Sequence, residues 1–242
     1  MKVKLMYLMI LVALFAGGCV VKPEGPPVAP NFVFNPPTSA KSTKSNMSIA
    51  ILMPGQKGSF FQESGSDANA TIYNFLKSYQ TDLEKVIVAK GFTTSGAYAS
   101  YDEMTFSQKE RSSLVMSPEI SFNITVQRGI FGEDSRATVN GSIVIEFLEP
   151  MSREKVWIKH FNLPETTKTV NMILLTGPNG LLLKNPDGSL KYGLSPNSRI
   201  SLLNSFYASA FAKIWDQLDA REISALKKDA DKLKSRTNYR AN

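Results

Sequence analysis

One cysteine dictates a chemistry in this chain, and it does so by position. Cys19 directly follows Ala16-Gly17-Gly18, and ahead of them stand Lys2, Lys4 and the unbroken apolar run Leu5–Phe15, 11 residues long. A basic start, a short apolar run and small residues before a cut make an export leader. The run is too short to span a bilayer, which needs roughly 20 apolar residues. A thiol placed first after the cut can take a diacylglyceryl group as a thioether, and cleavage frees its amine for another acyl chain. The expectation is therefore a lipoprotein signal peptide over 1–18, lipidation at Cys19 and a membrane partner held through the lipid. One acyl chain binds only marginally, whereas two or three on one residue hold firmly. Val20 follows where an Asp would retain such a protein at the inner membrane. This places it at the outer membrane and leaves open which side it faces.

The remaining inventory is thin. His160 is the sole histidine, and no G-x-S-x-G elbow accompanies it. On a strand starting near Lys155, His160 shares a side with Val156 and Ile158, as a hydrogen-bonded structural histidine would. A His-based zinc site needs more His or Cys than the chain owns. Gly55-Gln56-Lys57-Gly58-Ser59 lacks the phosphate-loop spacing and reads as a turn. Asp187 and its neighbours lack calcium-loop spacing. The chain is thus read as non-enzymatic, with no catalytic residue, metal or cofactor. Phe60, Phe61 and Trp157 are the aromatics able to stack on a sugar or a protein. For Trp157 a core position is the stronger reading, and for Phe60-Phe61 the two are evenly matched.

Charge adds one local feature. The 28 basic and 21 acidic residues give +7, and loss of Lys2 and Lys4 with the leader lowers this to +5. From Arg221 onward seven basic residues face three acidic ones, so the tail alone is +4 and the rest is nearly neutral. That balance points to no nucleic-acid partner. The tail reads as a solvated helix face of mixed signs, with contact to anionic lipid as the alternative.

Residues 19–47 carry Pro23, Pro26, Pro27, Pro30, Pro36 and Pro37, then a polar stretch, and read as a tether. Phe32 and Phe34 are its large apolar residues, able to dock on the domain or a partner. A single domain follows over 48–242. Ile49–Met53 predicts a buried strand and Gln56–Gly65 a loop. Ser66 predicts a helix N-cap, and Ile72, Phe75, Leu76, Tyr79, Leu83, Val86 and Ile87 one apolar helix face ending at Gly91. Strands are expected over Phe92–Tyr98, Leu114–Gln127, Val139–Leu148 and Lys155–Leu163, with a turn over Glu149–Arg153 and a short helix or ordered loop over Asp102–Arg111. Residues 176–193 read as an irregular loop. Ser195-Pro196 opens a helix whose apolar face runs through Leu203, Phe206, Tyr207, Phe211, Ile214 and Leu218, and whose sparser stripe Ile223, Leu226, Ala230, Leu233 carries it on to about Ser235. The order predicts an α+β (mixed α/β) two-layer domain: a partly antiparallel sheet covered by helices, with a long C-terminal helix.

Leu148-Glu149-Pro150-Met151-Ser152 and Lys228-Asp229-Ala230-Asp231-Lys232-Leu233-Lys234 resemble segments of the neuraminyllactose-binding hemagglutinin family, lipoproteins of the Gram-negative outer membrane. The lipobox, the domain length and the basic terminal helix also fit, and the resemblance spans roughly Ile49–Arg236. It implies an adhesin with a sialylated-glycan ligand. The nearest match to the family's basic binding run is Thr125-Val126-Gln127-Arg128, with Asn123-Ile124 and Gly129 standing where the family has basic residues. Thr125, Gln127 and Arg128 are therefore the candidate ligand residues, although the same segment reads as a strand with Thr125 and Gln127 facing out. The alternative is a structural or assembly lipoprotein of the cell envelope or an appendage sheath, which docks other proteins.

Overall fold

The computed structural model describes residues 26–37, 45–62, 66–129, 134–177 and 179–240, so Cys19 and the expected leader lie outside the described residues. The strands are β1 (Ser48–Leu52), β2 (Gly55–Lys57), β3 (Thr93–Tyr98), β4 (Leu114–Gln127), β5 (Ser135–Leu148), β6 (Lys155–Asn162), β7 (Thr166–Val170), β8 (Met172–Leu174) and β9 (Tyr192–Leu194). The helices are α1 (Ser66–Ala89), α2 (Phe106–Arg111), α3 (Pro196–Gln217) and α4 (Ala220–Arg240). β1 to β7 form one mixed sheet in the order β3-β1-β4-β5-β6, with β2 following β1 beside β4 and β7 following β6 beside β5. β1 runs parallel to β3 and β4, and β2 parallel to β4, while the pairings of β5 are antiparallel. The expected mixed α/β two-layer architecture is what the chain adopts.

Alternation explains the layers. Along β4, Leu114, Met116, Ile120 and Phe122 are fully buried on one face. Ile143, Ile145 and Phe147 of β5 do the same, beneath α1 and α3. The helices meet over the sheet in an aromatic cluster: Phe75, Tyr79, Phe122, Phe206, Tyr207 and Phe211 have ring centroids 4.4 to 6.2 Å apart in successive pairs. Gly141 lets α3 come close, since a Cβ there would stand 2.4 Å from Phe206 Cε2 and 2.9 Å from the Ser121 carbonyl. The sheet's other face is open along most of its length. At one corner, a second small core of Ala50, Leu52, Tyr101, Met104, Val115 and Leu148 fills under α2. Thr105 closes the start of α2 with a reciprocal capping box to Gln108.

Several elements depart from the sequence expectation. The expected single C-terminal helix breaks at Leu218-Asp219 into α3 and α4. Leu218 is extended and buried, and the Asp219 carboxylate accepts the Arg221 N–H, so the aspartate opens a new helix there. Ser66 does begin a helix, with its side chain outside the described residues. β5 starts four residues earlier than expected because it continues past the apolar alternation to pair with β7. Phe60 is buried, which removes it from the surface as a ligand-stacking aromatic, and Phe61 is half-buried against the core. The 55–59 turn is instead a short strand, β2, followed by Gly58 at a φ of +102°.

The segment expected to be a spacer is partly domain. Asn197 and Asn204, two turns apart on α3, grip the chain: Asn197 accepts the Val28 N–H at 2.8 Å and donates to the Pro26 carbonyl, while Asn204 accepts the Asn31 N–H and donates to the Ala29 carbonyl. Phe32 then sits between Phe75 and Tyr207, and Phe34 stacks on Phe211. Asp82 of α1 is buried, at 2 % exposure. It accepts from the Phe34 N–H, the Tyr207 hydroxyl at 2.6 Å and Lys85 Nζ at 2.6 Å. Burial, then this hydrogen bond, pushes the Tyr207 phenol far above the usual tyrosine range, and burial alone does the same to Tyr79. Asp82→Ala would strand one backbone donor and one hydroxyl at about 1–3 kcal/mol each. We expect it to lower unfolding stability by about 3 kcal/mol in denaturant melts and to expose 26–37 to protease, whereas a melt unchanged within 0.5 kcal/mol would refute the tie.

Candidate functional site

The antiparallel β4–β5 pair carries the candidate ligand residues at its far end. Ile124 and Val126 pack inward on the core, so Thr125 and Gln127 point out and are exposed, as the alternation predicts. Thr125 stands opposite Thr138, and Thr138 hydrogen-bonds Thr167 of β7 at 3.1 Å. Gln127 stands opposite Arg136, which in turn faces Thr169. Beyond the strand end, Arg128 places its guanidinium carbon 4.1 Å from the ring centroid of Tyr192 on β9.

These residues line an open concavity of about 500 Å³ formed by Gln127, Arg128, Gly129, Asp134, Arg136 and Thr169. Of the sequence candidates, Gln127 and Arg128 come together there, and Thr125 stays outside on the flat strand face. Arg136 and Tyr192 were not foreseen. Arg136 enters through cross-strand register and Tyr192 through a strand some 60 residues on, and neither spacing leaves a linear signal. Two guanidiniums beside one carboxylate leave the concavity net positive. A guanidinium held over a ring keeps its planar N–H fork for a carboxylate or phosphate.

A second, smaller cleft of about 350 Å³ opens between α3 and the β5–β7 edge, with Val139, Leu163, Leu202 and Phe206 in its walls. Lys168 hydrogen-bonds Ser205 at its rim. His160 is exposed on the outer face of β6 with Ile158, not held in a structural hydrogen bond as expected, because β6 turns Trp157 and Phe161 inward instead. The Trp157 indole N–H donates to Glu222 of α4 at 3.0 Å, and Lys159 donates to the same carboxylate at 2.9 Å. Trp157 is therefore a joint between sheet and α4, in line with its core reading. Among the described residues, no cluster of metal-ligating side chains occurs and no helix is long and apolar enough to cross a membrane.

The two family-like segments prove architectural. In Leu148–Ser152, the buried Glu149 carboxylate accepts the backbone N–H groups of Met151 and Ser152, closing the β5–β6 turn on itself. The Tyr101 hydroxyl donates to the Pro150 carbonyl at 2.6 Å, and Lys109 and Arg153 lie over the Tyr101 ring. Burial and the Glu149 charge push the Tyr101 phenol upward, against a pull from Arg153. In α4, Lys227 pairs with Asp231 and Lys232 with Asp229 along an exposed face, while Ile223, Leu226 and Ala230 are buried. That is the mixed-sign solvated face expected of the tail.

No family profile and no curated protein matches the sequence. Among solved structures, the fold is similar to that of a Helicobacter pylori protein provisionally named a neuraminyllactose-binding hemagglutinin homolog. The TM-score is 0.60 at 14% identity, over 85% of this chain and 100% of that one. The likeness is one of fold. A dodecameric PelC from Paraburkholderia phytofirmans gives a TM-score of 0.31 at 14% identity, over 74% of this chain and 92% of that one. The lipoprotein GNA1162 from Neisseria meningitidis gives 0.25 at 13% identity, over 71% and 99%. Neither is close enough to bear on this chain.

Tyr101→Phe removes the hydroxyl that holds the Pro150 carbonyl and should cost about 1–2 kcal/mol. Denaturant melts should show that loss, and a neutral result would mean the turn stands without its tyrosine.

Proposed function

We propose that the chain is a non-enzymatic lipoprotein of the outer membrane, anchored through Cys19, that works as a structural or docking component close to the bilayer. The observation that carries this reading is the grip of Asn197 on Pro26 and Val28. Only six residues, or seven Cα–Cα steps, separate Cys19 from Pro26. Fully extended, they reach about 25 Å. A lipid on Cys19 therefore holds the domain against its membrane rather than on a long stalk. The leader, the lone cysteine and the fold shared with the hemagglutinin homolog support the same assignment. Cys19→Ser should release the protein from the membrane fraction and leave its leader uncleaved. Retention in the membrane with normal processing would sink the anchor.

A second reading is an adhesin for sialylated glycans, favoured by the Arg128–Arg136 concavity, which suits a carboxylate-bearing sugar. Against it stands the position of that concavity beside Tyr192, three residues before the Ser195 cap of α3, at the end of the molecule where the chain runs back toward Cys19. Titration of the mature chain in detergent with sialyllactose, against lactose, separates the two. Saturable binding lost in Arg128→Ala and Arg136→Ala would establish the glycan reading. No heat at millimolar sugar would leave the structural one.

A further inference from the structure

The region expected to be an irregular loop is an ordered arm. β8 and β9 pair antiparallel, Met172 against Leu194 through Leu174 against Tyr192. Beyond them the ladder continues through Leu175–Lys191 and then opens, with 181–185 inserted between the two rails. Leu183 donates to the Leu175 carbonyl and Lys191 to the Leu183 carbonyl, and the bridges Thr176–Leu182 and Lys184–Leu190 flank them. Two tight turns close the arm: Gly180 (φ +75°) lies in the first, and Gly188 (φ +82°) in the second, where Asp187 accepts from Ser189.

This arm presents apolar side chains to solvent. Leu181 is 67 % exposed, Leu182 46 %, Leu183 39 %, Leu174 39 % and Ile173 38 %. Among the described residues, five of the ten exposed large apolar side chains lie on this one arm, and clustering of this kind marks a contact surface. Lys184 and Lys191 are exposed beside them, and Arg128 lies over Tyr192 at the arm's base. Asp187 is the only acidic residue between Met172 and Leu194.

The arm's location decides what can cover it. Its root is tied to the start of α3: the Ser195 N–H donates to the Asn171 carbonyl, and the Asn171 N–H to Ser198 Oγ. Asn197, in that same first turn, holds Pro26. Residues 28, 31, 32 and 34 follow α3 in its own direction, meeting Asn197, Asn204, Tyr207 and Phe211 in turn. Traced backward, the described segment reaches Pro26 beside the end of α3 from which the arm springs. A lipid on Cys19 then lies within about 25 Å of Pro26, whose partner Asn197 shares the first turn of α3 with the residues that tie the arm's root.

Resting on the lipid-anchor reading above, we propose that the β8–β9 arm is a second membrane contact. Leu181–Leu183 enter the interfacial region of the leaflet that holds the Cys19 acyl chains, and Lys184, Lys191 and Arg128 meet its anionic headgroups. The combination of an apolar tip with flanking cations is the pattern of interfacial binding, and an anchor already in place removes most of the cost of bringing it there.

The single cysteine supplies the test. In the lipidated protein its sulfur is blocked, so Leu182→Cys provides the sole free thiol for an environment-sensitive fluorophore. Val88→Cys is the control: it is 55 % exposed near the end of α1, where Lys90 holds the Trp215 carbonyl at the far end of α3. Both proteins are reconstituted in phosphatidylethanolamine–phosphatidylglycerol vesicles containing nitroxide-labelled lipid. Quenching at 182 is expected to exceed that at 88 several-fold, and Leu181→Cys should behave as Leu182→Cys does. Equal, weak quenching at both positions in a singly labelled, vesicle-bound chain would overturn the arm contact while leaving the anchor intact. A dye at 182 shielded from water but not quenched by lipid would assign the arm to a protein instead. Double labelling by mass, with the chain floating free of vesicles, would show an unmodified Cys19 and remove the anchor reading together with this one.

Discussion

A single buried carboxylate ties the first described segment of the chain to both helices of its core layer. Asp82 sits on α1 with almost no exposed surface and accepts the Phe34 backbone N–H, the Tyr207 hydroxyl of α3 and Lys85. A buried charge left without partners is costly, so all three must arrive together. Phe32 and Phe34 can enter the aromatic cluster because Asp82 satisfies the backbone they bring with them. The path of 26–37 along α3 follows from that constraint. So does the end of α3 beside which the described segment begins.

From that path comes the polarity of the whole protein. The concavity with Arg128 and Arg136, the β8–β9 arm and Pro26, where the described segment begins, share one end. The far end carries the close of α1, Trp215 and the break between α3 and α4. Family-like segments occupy neither functional face. Glu149 and its neighbours shape a turn, and the charges of α4 pair along its own surface. Both segments serve the architecture, because a self-closed turn and a mixed-charge helix constrain residue types without any ligand.

Much of this was legible in the sequence wherever period and burial coincide. The alternation in Leu114–Gln127 gave the bounds of β4, and the three- and four-residue spacing from Ile72 to Ile87 gave the buried face of α1. The mixed α/β class followed from the order of such segments. Period failed where tertiary partners overrode it. The stripe from Leu203 to Leu233 is nearly continuous, yet the helix breaks at Leu218-Asp219, since local caps outweigh a periodic pattern that tolerates a turn. Phe60 and Phe61 lay in a segment without period, and only the packing of Phe122 beside them made Phe60 core and set Phe61 half-buried against it.

The sequence by itself determined the layered class of the domain and raised the expectation of a leader and a lipid-bearing thiol, because each depends on residues close together in the chain. Tertiary structure alone decided where residues 26–37 lie, that Arg136 and Tyr192 join Arg128, and that the Leu-rich arm shares an end with Pro26. Most of those relations join residues far apart in the chain, up to 175 positions for Ala29 and Asn204. They rest on strand register and on side chains such as Asp82 and Asn197 reaching backbone groups, which no local spacing records.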